Sequence, residues 1–163
     1  MKFNCDSANK LVKSLMADLE TIEGLERKNR TYSYKPGEQP EIPEYSMAET
    51  SDKIDEINDK IYKIKHAVNM FNTTTKVEGF EFTMDEALVR LKVLNKRRTV
   101  LNEMRSMSET SREASYRTEA EITRPNFVVA EAEAEYQKVN KELIALQQGI
   151  NITNLTKTFE IDV

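Results

Sequence analysis

Residues 54–71 read IDEINDKIYKIKHAVNMF. Ile54, Ile57, Ile61, Ile64, Val68 and Phe71 recur at steps of three and four, the spacing that gathers side chains onto one stripe of an α-helix. Charged and polar residues fill most positions between them. The stretch predicts a long amphipathic helix. Extended upstream on the same frame to Met47, it covers about 26 residues, or roughly 39 Å at 1.5 Å per residue. The stripe must pack on something: another part of this chain, a second copy, or a lipid surface.

Upstream lies a second helical pattern. Asp6 or Ser7 can cap backbone N–H groups, and Leu11, Leu15, Leu19 and Ile22 form a stripe widened by Val12 and Met16. This helix is expected over 7–29, carrying Gly24 at some cost. Between the two helices runs TYSYKPGEQPEIPEYS, a loop over 31–46 in which Pro36, Pro40 and Pro43 forbid helix. It is expected to cross the bundle surface, held by Tyr32, Tyr34, Ile42 and Tyr45, with a disordered linker as the competing reading.

Downstream, Val77, Phe80 and Phe82 around Glu78-Gly79 suggest a tight turn or miniature hairpin within 76–82. Thr83-Met84-Asp85-Glu86 has the spacing of a capping box and opens a third helix, expected over 84–107. Its apolar residues do not fall on one stripe. Leu88, Leu91 and Leu94 define one face; Val93, Val100, Met104 and Met107 define another, with Leu94 and Leu101 between. One neighbour needs one stripe, so a two-faced helix implies two neighbours. Residues 105–124 lose the period and read as a polar connection with a short extended piece near Glu121-Ile122-Thr123. A fourth helix, expected over 127–150, carries Val129, Ala132, Tyr136, Val139, Leu143, Leu146 and Ile150 on a clean frame. Alternation of Phe159, Ile161 and Val163 suits an extended segment over 158–163, either a short strand or an arm laid on a neighbour.

Length and composition agree with this reading. The chain has 163 residues, four Gly and four Pro, with 32% charged residues. The expectation is one all-α domain over 1–163, an antiparallel helical bundle or paired long helical hairpins. Net charge is −4, which supplies no bulk attraction for nucleic acid or anionic lipid. No stretch approaches the length of an apolar membrane span, and the charged N-terminus lacks the apolar core of a signal peptide. A cytoplasmic location is expected.

Candidate chemistry is sparse. Cys5 and His66 are the sole cysteine and histidine; together they cannot build a zinc site, and His66 falls on the face opposite Ile61, Ile64 and Val68. Asp52, Asp55, Glu56 and Asp59 could share a helix face, but they lack a histidine at metal spacing and read as a solvated acidic face. Glu131, Glu133 and Glu135 splay around their helix. Gly79 has no phosphate-loop context. No catalytic residue, metal or cofactor is expected. The third helix is basic: residues 83–107 hold six basic and three acidic side chains, whereas 119–149 hold three basic and six acidic. Opposite charges on two helices point to pairing within or between subunits rather than to nucleic acid. Arg98, one heptad after Leu91, is expected either to meet a carboxylate such as Glu142 or to reach solvent along its aliphatic stem.

The order of these elements resembles a family. Pro36-Gly37-Glu38 with Pro40 and Pro43, Asn69 and Asn72 before the turn, Thr83 with Glu86-Ala87-Leu88, Glu121-Ile122, and the spacing Leu146, Ile150, Asn154 are similar to the septicolysin-like family of small uncharacterised bacterial proteins. The resemblance covers roughly residues 5–157. At its C-terminal end Gln147, Asn151 and Leu155 stand where the family pattern has an acidic residue, Gln and Trp, as in a divergent member. The resemblance implies a helical protein that forms homo-oligomers, with hexamers among them, and no established activity. The family name derives from a proposed pore-forming haemolysin.

The expectation is therefore a non-enzymatic, self-assembling cytoplasmic scaffold or interaction module, with itself as partner and neither nucleic acid nor membrane as a favoured one. The alternative is a pore-forming, haemolysin-like membrane-active protein. The residues expected to form helix seams or subunit contacts are Ile54, Ile57, Ile61, Ile64, Val68, Phe71, Arg98, Val100, Met104 and Met107.

Overall fold

The computed structural model describes residues 1–108, 111–113 and 121–162. The molecule is all-α. Its helices are α1 (Cys5–Asn29), α2 (Met47–Thr74), α3 (Met84–Arg105) and α4 (Val129–Thr156). Short strands β1 (Lys2–Phe3), β2 (Ser111–Glu113), β3 (Glu121–Thr123) and β4 (Phe159–Glu160) accompany them. Contacts gather into two compact units, Met1–Thr74 with Asn154–Val163, and Thr75–Thr153.

The first unit is a helical hairpin closed by a strand pair. Helix α1 begins earlier than expected, and its cap is Asn4 rather than Asp6 or Ser7. The Asn4 Oδ1 accepts the Ser7 N–H at 2.8 Å, and the Asn4 N–H donates to Ser7 Oγ at 3.1 Å. This reciprocal pair satisfies two groups that the helix itself leaves open. Tyr45 Oη donates to Glu26 Oε1 at 3.2 Å, joining the end of α1 to the approach of α2. Cys5 Sγ meets Asn72 Oδ1 at 4.0 Å, joining the start of α1 to the end of α2. The two helices are thus antiparallel. Between them Ala8, Val12, Ile61 and Ile64 are buried together with Ile161, flanked by Leu11, Leu15, Ile57 and Val68.

Strands β1 and β4 pair antiparallel, Lys2 with Glu160 and Phe3 with Phe159. The Met1 ammonium donates to the Ile161 carbonyl at 2.9 Å. The Phe159 ring then lies 5.0 Å from that of Phe71 on α2. The expected C-terminal extended segment is present, with the N-terminus as its partner; Val163 lies outside the described residues. The Pro-rich loop departs from expectation. Tyr32, Tyr34 and Ile42 are exposed, and of the four residues expected to hold it only Tyr45 is half-buried. Tyr32 and Tyr34 stack on each other, at 6.2 Å between centroids, instead of on a helix.

The second unit starts with the anticipated turn. Val77 N–H donates to the Phe82 carbonyl, Phe80 N–H to that of Val77, and Met84 N–H to that of Thr75. Gly79 has φ +81°, the left-handed region that glycine enters without a Cβ penalty. Thr83 caps α3 by accepting the Glu86 N–H. The carboxylate of Glu86 does not complete the expected capping box. It binds Arg90 at 2.6 Å instead, and the Arg90 guanidinium covers the Phe82 ring at 4.5 Å.

Helix α4 outlasts the expected 127–150 window, running to Thr156. Thr153 Oγ1 accepts the Glu78 N–H at 2.8 Å and donates to the Gly149 carbonyl at 2.8 Å. This ties the final turns of α4 to the turn before α3. At the other end Arg105 Nη1 pairs with Glu133 Oε2 at 3.0 Å, and its guanidinium lies 3.8 Å from the centre of the Tyr136 ring. Helices α3 and α4 therefore form a second antiparallel hairpin. Its buried residues are Val77, Met84, Ala87 and Leu101, with Ala132, Val139, Leu143, Leu146 and Ile150 of α4. The extended piece expected at 121–123 is β3, paired with β2, which the polar reading of 105–124 did not anticipate.

Candidate functional site

The stripe of α2 lies inside the chain. Ile61, Ile64 and Phe71 are buried, and Ile54, Ile57 and Val68 are half-buried, against α1 and β4. These six residues build the first hairpin and leave no free apolar seam on α2.

Helix α3 is different. Met84, Ala87 and Leu101 are buried and Leu91 and Leu94 half-buried on one face. Val89, Val93, Val100 and Met107 are exposed, at 60%, 62%, 40% and 48%. Successive residues turn about 100° around a helix, so Val89, Val93 and Val100 lie roughly 150° from the first set. Met104 is half-buried at its margin. Val89, Val93 and Val100 keep the spacing of a helix seam, with Lys96 and the exposed Glu103 at the other positions of that frame; α3 ends at Arg105, short of the expected 107, so Met107 lies just past the helix. Val89 had escaped the sequence reading, although its spacing to Val93 and Val100 carries the signal. Leu88, expected to share a face with Leu91 and Leu94, is 42% exposed.

Arg98 sits on the inner side of α3 and is half-buried. It makes no ion pair with Glu142 or with any other described residue, which fits a packed stem with its head in water. The cross-helix ion pair is formed by Arg105 instead.

Charge surrounds the outer stripe. Lys92 and Lys96 lie along one side, with Asp85 and Glu103 toward its two ends, and Arg90 and Arg97 lie along the other. Arg90 is held by Glu86; Lys92, Lys96 and Arg97 have no ion pair among the described residues.

Among the described residues no group of three or more His, Cys, Asp and Glu side chains could hold a metal ion. His66 is exposed. Cys5 is buried, and burial pushes its thiol above the ordinary value of 9.0, away from the reactive thiolate. A cleft of about 400 Å³ lies between the end of α1 and the start of α2, bordered by Ile22, Leu25, Glu26, Tyr45, Glu49 and Lys53. Burial, then the hydrogen bond to Glu26, raises the Tyr45 hydroxyl above its ordinary 10.0. No helix among the described residues is long and apolar enough to cross a membrane.

No family model and no curated protein matches the chain. Among solved structures it is similar to a functionally unknown conserved protein from Corynebacterium diphtheriae, at 19% identity and a TM-score of 0.66. That likeness covers 98% of this chain and 100% of the other. At that identity it shows the fold alone.

Proposed function

We propose that this chain is a non-catalytic, self-assembling cytoplasmic protein, a scaffold or interaction module whose first partner is another copy of itself. Membership of the septicolysin-like family, and the hexamer that resemblance implies, belong to the same proposal. The observation that supports it is the outer stripe of α3. Val89, Val93 and Val100 face solvent at seam spacing on a helix whose other face already has a hairpin partner, and the exposed Met107 follows just past its end. Scattered exposed apolar residues are ordinary on a protein surface; a seven-residue register of them is the pattern helices use to pack.

The pore-forming alternative gains no support from a spanning helix. Leakage of dye-loaded liposomes is the direct assay for it, and the proposal expects none at neutral or acidic pH. Static light scattering at micromolar concentration tests assembly. The proposal expects a mass that is a multiple of 18.8 kDa; a mass of one chain overturns it.

A further inference from the structure

We infer that the outer stripe of α3 docks onto the acidic outer face of α2 in a second copy of the chain, making a head-to-tail contact. The inference rests on the self-assembly proposed above and specifies which surfaces meet.

Homotypic pairing of α3 is the simplest use of an apolar stripe, and its charges oppose it. Lys92 and Lys96 on one flank and Arg90 and Arg97 on the other make the middle of the stripe basic on both sides. In an antiparallel pair centred near Lys96 that residue would face its own counterpart, and in a parallel pair Lys92 and Lys96 would face the partner's Arg90 and Arg97 flank. Charges beside a helix seam select the partner, and like charges across it are destabilising.

The chain carries a matching surface elsewhere. Asp52, Asp55 and Asp59 follow at steps of three and four on α2, all exposed, on the face turned away from Ile61 and Ile64. None of the three is in an ion pair among the described residues, whereas the neighbouring Glu56 is held by Lys60 at 2.7 Å. No basic residue lies on that face between Asp52 and Asp59. Beyond Asp59 the same face carries Tyr62, Lys63, His66 and Met70, all exposed, with Tyr62 and Met70 at 65% and 51%. The acidic run Asp52, Asp55 and Asp59 on α2 thus complements the basic residues Lys92, Lys96 and Arg97 beside the apolar stripe on α3. Two unpaired strips of opposite sign on one polypeptide fit a contact between different surfaces of identical copies. Such a heterologous contact closes into a ring or extends as a filament.

A charge-reversal cycle read by light scattering tests this. Lys92→Glu with Lys96→Glu, and separately Asp55→Lys with Asp59→Lys, are each expected to reduce the wild-type assembly to the mass of one chain. All four substitutions in one chain are expected to restore the assembly, as is mixing the two charge-reversed proteins. All these positions are exposed, and far-ultraviolet circular dichroism checks that helicity is retained. If the wild type assembles but neither reversal changes its mass, the docking inference is wrong and self-assembly stands. If the lysine reversal strengthens assembly and the aspartate reversal does nothing, α3 pairs with itself and the inference is equally wrong. A monomeric wild type overturns both readings.

Discussion

Gly149 of α4 lies directly against Glu78 in the turn before α3: a methyl group on Gly149 would meet the Glu78 carbonyl oxygen at 2.7 Å and the Val77 side chain at 2.9 Å. One turn later Thr153 receives the Glu78 N–H at 2.8 Å. Glycine in a helix interior ordinarily costs stability. Here it allows the turn to settle onto the helix, and Thr153 fixes the turn's orientation.

Gly149→Ala is therefore expected to destabilise the protein by about 1–3 kcal/mol through overpacking against backbone, despite alanine's better helix propensity. Gly24→Ala is the control. The nearest atom there is the tip of Arg27 at 4.0 Å, so the substitution is expected to stabilise by about 0.5–1 kcal/mol. Urea titrations of the two variants should move in opposite directions; movement in the same direction contradicts the close approach at Gly149.

The α2 stripe should show graded costs. Ile64 is fully buried, and Ile64→Ala is expected to cost about 2–5 kcal/mol. Ile54 is half-buried near the start of α2, and Ile54→Ala should cost clearly less. Equal costs in denaturant unfolding would place the seam against something outside the hairpin.

Part of this architecture was legible in residue spacing. Six apolar residues from Ile54 to Phe71 at helical steps left little choice of structure, and the alternation of Phe159 and Ile161 marked a strand. Their partners were less visible, because Lys2-Phe3 pairs with β4 across nearly the whole chain length and two residues carry no pattern. The start of α1 was ambiguous for a local reason: Asn4, Asp6 and Ser7 can all cap, and only the reciprocal Asn4–Ser7 bonds select one. Gly149 and Thr153 carry no signal in the sequence beyond weak helix propensity; the distant turn at Val77 and Glu78 is what makes them necessary. On α3 the second face was visible in Val93, Val100 and Met107, whereas Val89 was missed because that reading began at Val93. Aromatic content alone misplaced the loop, since Tyr32 and Tyr34 find each other.

Acid stability should report the Arg105 bridge. The Glu133 carboxylate accepts from Gln137 and from Arg105, which together hold its pKa below the ordinary 4.5. A depressed carboxylate contributes stability above its unfolded-state pKa, and that contribution is lost as pH falls through the folded value. Glu56 and Glu81, lowered by Lys60 and Lys76, act in the same direction. Glu133→Gln should therefore shrink, without abolishing, the fall in melting temperature below pH 4.5. An unchanged profile contradicts a folded-state role for this carboxylate.

Cys5 offers a probe of the first hairpin. Its side chain is 4% exposed and its thiol is pushed up by burial. Reaction with an aromatic disulfide reagent at pH 8 is expected to be at least about tenfold slower in the native protein than in the urea-unfolded chain, since it must await local opening. Equal rates would mean that the start of α1 is not packed.

The claim on which the functional account rests is that the outer stripe of α3 holds copies of the chain together. Sedimentation velocity of Val93→Ser/Val100→Ser beside the wild type measures this most directly. The account predicts an assembled wild type and a variant that sediments as one chain of 18.8 kDa with unchanged helicity. A wild type that sediments as a single chain, or a variant that stays assembled, would contradict it.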